Sequence, residues 1–284
     1  MDDLPLWPQS DPPPGFTAAG IVGSIRKALA DHGIGPVYAF SNSWPLDRAP
    51  GLAGILDDWV ADGHHVANHT HGHIQLIDVA AGTFAMDVDT ADTRLAPWVE
   101  AAPLRLFRHP LCHWGETDEK RVAINRHLSR TGLTPVDVTS WVYEWTWNRA
   151  WLAAREAGDR VAEQFVCDSF VPFAIAQHRH DAAAAQAWFG EDVPGIALGH
   201  NVAFFAEIAS DYFGGLVDAG VEVVPLEQAL TGAQQAAVGS VTSAEFLVLQ
   251  QKLAACAGTP LPRIAPDMAD VYARVADMAA GRAD

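Results

Sequence analysis

The chain has 284 residues, 49% of them hydrophobic, which is enough for one large domain with a sizeable core. Its formal charge of −17 disfavours nucleic acid and anionic membrane as partners, because both require a basic patch. Cys112, Cys167 and Cys256 are too few and too scattered for a disulfide framework or a zinc ribbon, so free thiols are expected. No apolar run reaches membrane-spanning length. Residues Met1 to Pro5 have neither the basic nor the apolar region of a signal peptide.

In chain order, a Pro-rich loop (Pro5, Pro8, Pro12, Pro13, Pro14) precedes a helix predicted over residues 17–31. Ile21, Ile25 and Leu29 line one face of that helix, and Gly33 lies past its end. Residues 36–40 read as a buried strand running into the polar loop Ser41-Asn42-Ser43. Leu52, Ile55, Leu56, Trp59 and Val60 give the next helix its inner stripe, which stops near Gly63. A strand then delivers a turn rich in histidine. A third helix near 82–95 carries Phe84, Val88 and Leu95 and closes at Pro97. Residues 104–107 form a strand ending at Arg108-His109-Pro110. Thr117 caps a helix that ends near Gly132, and residues 136–138 form a brief strand before the aromatic segment Trp141 to Trp151. One long helical region runs from Ala150 to Phe189, and a strand over 193–198 leads to His200. A helix over 203–219 and a strand over 221–224 complete the alternation. Beyond Gly232, a capping-box pattern from Thr242 to Glu245 starts a helix over 240–256, and a last helix covers 266–279. No chemistry is visible in this extension, and a packing appendage or oligomer contact is expected.

Strands alternating with helices predict a parallel sheet covered by helices, with chemistry at the C-terminal strand ends. The polar residues fall there: Asn68 to His73, Arg108 to Pro110, Trp141 to Trp145, and His200. His69 and His73 stand four residues apart. On a helical turn they would share a face about 5–6 Å apart at Cβ and could converge on zinc or a similar cation. A His-rich surface loop has the same letters, and spacing does not choose between the two. His64, His65, His71 and His113 are expected to be solvated or to support ligands, and His178 and His180 to lie on a helix surface.

The order Asp2-Asp3, then Asn68-His69-Thr70 with His73, then Phe107-Arg108-His109-Pro110, then a Trp-rich segment, then Leu198 with His200, resembles the polysaccharide deacetylases. These carry a NodB homology domain and form carbohydrate esterase family four. The resemblance covers residues 1–232 and leaves 233–284 as a C-terminal helical extension. It implies an α/β fold, a distorted (β/α) barrel of about seven parallel strands. It also implies a metal-dependent hydrolase that removes N-acetyl groups from amino sugars of an oligo- or polysaccharide. Asp3, His69 and His73 match the metal ligands, with zinc the first expectation for the divalent ion. Asp2 matches the general base, Arg108 its ion-pair partner, and His200 the general acid. Glu144 and Trp145 match the acid that holds the arginine and the tryptophan of the acyl pocket. The backbone N–H of His109 matches an oxyanion donor, and Leu198 stands beside His200 in the last motif.

Three departures qualify that implication. Family members carry a buried strand before the aspartate pair, and here only Met1 precedes it, so the first barrel strand is expected to be missing. A start lying upstream would account for this and would make the protein extracytoplasmic, whereas a true start at Met1 would leave it cytoplasmic. Glu144 replaces aspartate, with Trp141 where relatives often have an acid, which puts the support of Arg108 in question. His109 replaces a tyrosine-like residue, which alters the pocket. Two other readings follow: a catalytically silent member that binds glycan or a partner, and an amidohydrolase acting on a small non-sugar amide.

Overall fold

Short apolar runs separated by amphipathic stretches bury both faces of a parallel sheet beneath helices. The computed structural model describes residues 1–9, 11–190 and 193–282. Strands β1 (Asp2–Leu4), β2 (Tyr38–Ser41), β3 (His65–Asn68), β4 (Leu106–Phe107) and β5 (Thr134–Pro135) form one parallel sheet in that order. Strands β6 (Ser140–Trp141) and β7 (Ala197–Leu198) form a second parallel pair. β5 and β6 are the two ends of one extended run. Val136 N–H donates to Phe107 O at 2.8 Å, and Thr139 N–H to Ile196 O at 2.9 Å. A parallel bridge between Asp2 and His200, with Asp2 N–H on Gly199 O at 2.9 Å, joins the last strand to the first.

The expected strand over 136–138 therefore pairs at its two ends instead, because the run changes neighbours midway. The expected absence of a buried strand before the aspartate pair agrees with what is seen: only residues 2–4 pair in that slot, at its rim end, with Asp2 opposite Phe40 and Leu4 opposite Ser41. Below Met1 the slot widens into a largely apolar cavity of about 430 Å³, lined by Tyr38 on one side and Ile196 and Leu198 on the other. Residues 221–224 form no strand; Val221 and Val223 are 43% and 47% exposed.

The helices Ala18–Asp31, Ala53–Ala61, Asp118–Thr131 and Ala203–Asp218 lie close to their expected spans. Ala81–Val99 runs past Pro97, which sits in its last turn, where a missing N–H costs one ladder bond rather than the helix. The single helix expected from Ala150 onward is two, Glu144–Ala157 and Arg160–Phe189. Gly158 ends the first at φ 69°, and the Asp159 carboxylate caps the second from Val161 N (3.0 Å) and Ala162 N (2.9 Å). His178 is not on the outer surface. It bridges Ser140 Oγ and Tyr212 OH, each at 2.7 Å.

Beyond residue 232 the helix expected over 240–256 is confined to Leu249–Cys256. Its predicted box does not form, because Ser243 pairs instead with Gly115, N to O at 2.9 and 3.1 Å. The segment shares the barrel's core. Val275 is fully buried in the main cluster, and Tyr272 packs on Phe173 at 6.0 Å and Trp147 at 6.1 Å. Lys252 reaches inward to a buried ion pair with Asp137 and lies 4.3 Å from the centre of the Trp114 ring. The last two residues of the extension lie outside the described ones. No described helix is long and apolar enough to cross a membrane.

Candidate metal and catalytic site

Parallel strands put their C-terminal ends on one rim, and the residues singled out in the sequence meet there. β1 lies at this rim and carries Asp2 and Asp3, both 3% exposed. Asp3 has φ 67°, a left-handed conformation that turns consecutive carboxylates toward different partners. β3 leads into the histidine loop, which is not a helical turn. Thr70 (φ 69°) and His73 (φ 53°) are left-handed, and this backbone brings the two imidazoles to 5.0 Å between centroids.

The loop is held from several sides. Asn68 Oδ1 accepts from Thr70 N at 2.9 Å, and its amide donates to Val88 O at 3.0 Å. The Asn42 amide donates to His69 O and Thr70 O. Asp87 accepts from Gly72 N at 3.0 Å, and Ser43 Oγ meets His71 Nδ1 at 2.7 Å. Asn42 and Asp87 went unmarked in the sequence, where each reads as an ordinary polar loop or helix residue.

His69 Nδ1–H donates to Arg108 O at 2.8 Å, which leaves the Nε2 lone pair facing the site. Asp3 Oδ1 lies 3.8 Å from His69 Nε2 and 3.5 Å from His73 Nε2. One ligand atom from each of these three residues falls within 4.8 Å of the others. Burial keeps both imidazoles neutral, drawing their pKa values down to about 4 despite the nearby carboxylates. Burial likewise raises the pKa of Asp3, and its Oδ1 has no hydrogen-bond partner among the described residues. A buried carboxylate oxygen without a donor is costly, and two neutral imidazoles facing it are what a divalent cation requires. The residues present fit a zinc-type ion.

Asp2 is held differently. Burial alone would raise its pKa, but Arg108, then His69, overcome this and hold it at about 2. Arg108 Nη1 donates to Asp2 Oδ1 at 2.5 Å, and the guanidinium carbon lies 3.8 Å from the centre of the Phe40 ring. Across the site, burial opposes charge on His200, yet Glu144, with Asp3 and Asp2 behind it, raises the pKa above the ordinary histidine value. Glu144 is fully buried and accepts from His200 Nδ1 and from Trp141 Nε1, the latter at 2.8 Å. The expectation that Glu144 holds Arg108 is thus corrected: among the described residues, the carboxylate paired with Arg108 is Asp2. Tyr143 is left-handed (φ 57°), and the helix beginning at Glu144 points that side chain at His200.

His200 in the folded protein is accordingly expected to stay protonated to higher pH than free histidine. Removing the charge in Glu144→Gln should lower its midpoint, a shift readable by NMR titration of the ring protons. Because the folded pKa is the raised one, the charged pair stabilises the fold below the unfolded value and loses that effect as pH rises through the folded value.

Trp145 meets His200 edge-on at 5.9 Å between centroids. The His109 ring is turned away, stacked on Phe84 at 5.7 Å and 13°, and burial keeps it neutral. The His109 backbone N–H has no acceptor among the described residues. Leu198 is buried among Cys112, Val138 and Val248. Trp7, unmarked in the sequence because it lies in the Pro-rich loop, meets Trp145 at 5.4 Å and His73 at 6.3 Å.

No protein-family model matches the sequence, and no curated protein does. Solved structures match it in fold. A mutant of a CE4 family pseudoenzyme from Bacillus anthracis, with restored enzymatic activity, aligns at a TM-score of 0.51 and 12% identity, over 81% of this chain and 65% of that one. A family 4 carbohydrate esterase from Streptomyces lividans, in complex with acetate, aligns at 0.47 and 16% identity, over 77% and 91%. Peptidoglycan deacetylase PdaC from Bacillus subtilis aligns at 0.47 and 16% identity, over 80% and 86%. The first alignment shows that this chain has the parallel α/β fold of the family 4 carbohydrate esterases.

Proposed function

We propose that this chain, built on the family 4 carbohydrate esterase fold, is a metal-dependent hydrolase that removes N-acetyl groups from amino sugars of an oligo- or polysaccharide. The observation that carries the reading is the Asp3 Oδ1, unpartnered among the described residues, facing two imidazoles, between an aspartate paired with Arg108 and a histidine paired with Glu144. Asp3, His69 and His73 hold the divalent ion, with zinc preferred because imidazole and carboxylate suit it. The ion, when bound, supplies Lewis-acid polarisation of the amide carbonyl and acidifies water.

The chain's own residues do the rest. Asp2, its pKa lowered by Arg108, takes a proton from the attacking water, and Arg108 fixes that carboxylate's orientation. The free His109 N–H offers a donor to the oxygen that becomes negative when the carbonyl carbon turns tetrahedral. His200, kept protonated by Glu144, gives its proton to the departing nitrogen, which an amide needs in order to leave. Trp145 walls the acyl group beside that proton.

Acetate release from N-acetylglucosamine oligomers tests the reading. Activity is expected with zinc, should vanish on chelation and should return when zinc is restored. Zinc binding without acetate release from any N-acetylated sugar would leave the silent, glycan-binding reading. Release only from small non-sugar amides would leave the amidohydrolase reading.

A further inference from the structure

The loop after β1 crosses the mouth of the site and is fastened at both sides of it. Pro5 O accepts from the Asn201 amide at 3.1 Å, next to His200. The Gln9 amide donates to Gly72 O at 2.9 Å, next to His73. Trp7 stands between these fastenings. Its ring meets His73 at 6.3 Å and Trp145 at 5.4 Å, and Trp145 meets His200 at 5.9 Å. His73, Trp7, Trp145 and His200 thus make a continuous arc of rings on one side of Asp3. The indole nitrogen lies 3.5 Å from His73 Nδ1, too long for a strong hydrogen bond. If His73 Nε2 binds a cation, its Nδ1 carries the proton and cannot accept at all. The indole is therefore held by packing and by the two loop anchors.

We propose that Trp7 sets the size of the acyl group this site admits, an assignment that rests on the deacetylase reading above. An acyl chain lying against Trp145 and reaching past the methyl of an acetyl group meets the Trp7 ring. The backbone that carries the ring is fixed on both sides, by Pro5 O on Asn201 and by Gln9 on Gly72. A single methylene in such a pocket changes selectivity by about tenfold or more. The pair Trp7 and Trp145 encloses acetyl and excludes longer chains, so Trp7 is a specificity residue rather than a catalytic one.

Acetate, butanoate and hexanoate serve as probes, titrated calorimetrically into zinc-loaded protein. The wild type is expected to bind butanoate at least about tenfold more weakly than acetate. Trp7→Ala should flatten or invert that order, and Trp7→Phe, which keeps a ring, should fall between. Zinc affinity should be the same in all three proteins. The ratio of kcat/KM for N-acetyl over N-butanoyl glucosamine oligomers should fall in Trp7→Ala by about the same factor. An unchanged chain-length order in Trp7→Ala and Trp7→Phe overturns the assignment, as does equal weakening for every chain length. A wild type that binds no carboxylate overturns it too. Carboxylates bound in the expected order without turnover would sink the hydrolase reading and leave the Trp7 assignment standing.

Discussion

Asp3→Asn should abolish tight zinc binding, whereas Asp2→Asn should spare the metal and remove turnover. The two residues are neighbours with identical side chains, so the contrast isolates geometry from composition. Asp3 Oδ1 points between His69 and His73 with no other partner among the described residues, and a neutral amide oxygen there offers a much poorer ligand. Residues that merely support a ligand already cost about 10–100-fold in metal affinity when changed, so loss of a ligand should cost at least about 100-fold. Asp2 instead spends its Oδ1 on Arg108. Its amide variant should retain zinc within a few fold and lose on the order of 10²–10⁴ in kcat, the range for general acid–base catalysis. Isothermal titration with zinc and an acetate-release assay on both variants check this. Equal effects on binding would show that the aspartates do not divide the roles.

Lys252→Met should lower the stability of the whole protein by about 3–5 kcal/mol, the cost of leaving a buried carboxylate without its counterion. Lys252 and Asp137 are each 1% exposed, and the aromatic face of Trp114 is the other favourable neighbour of the ammonium. For a chain of this size the melting temperature should fall by roughly 5–8 °C. Lys252→Met combined with Asp137→Asn should recover most of that loss, because the amide keeps the acceptor for Val138 N, 2.9 Å away, and carries no charge. Thermal melts of the two variants give the answer. A single variant melting within about 2 °C of the wild type would mean that the C-terminal segment is a detachable appendage after all.

Residues at the rim were legible in the sequence where they stand just after a short apolar run, because parallel strands gather such positions automatically. His69, Arg108 and His200 are of this kind, His73 was marked by its spacing from His69, and Asp2 and Asp3, with only Met1 before them, were legible only through the family resemblance. Glu144 was legible as a site residue but not in its partner. Its direction depends on the left-handed Tyr143 and on contact with a histidine 56 positions away. The spacing of His69 and His73 would bring them together on a helical turn, yet a loop with two left-handed residues achieves the same convergence, a geometry that non-glycine letters do not announce. Lys252 was hidden by its charge, since lysine on a helix ordinarily faces water and its partner lies 115 residues away. His178 was hidden by the uniform composition of its helix. The valines at 221 and 223 carry a strand's alternation, but a strand also needs an edge to pair with, which local pattern does not supply. The break at Gly158-Asp159 was present in the letters as a C-terminal glycine followed by an N-cap aspartate, overridden by the alanine content around it.

The central claim is one cation held by an aspartate and two histidines, and X-ray absorption at the zinc edge of metal-loaded protein tests it most directly. One zinc per chain is expected, surrounded by two imidazole nitrogens and oxygen, with one imidazole signal lost in His73→Ala. A spectrum with no imidazole scattering, with sulfur in the shell, or unchanged in His73→Ala would contradict it.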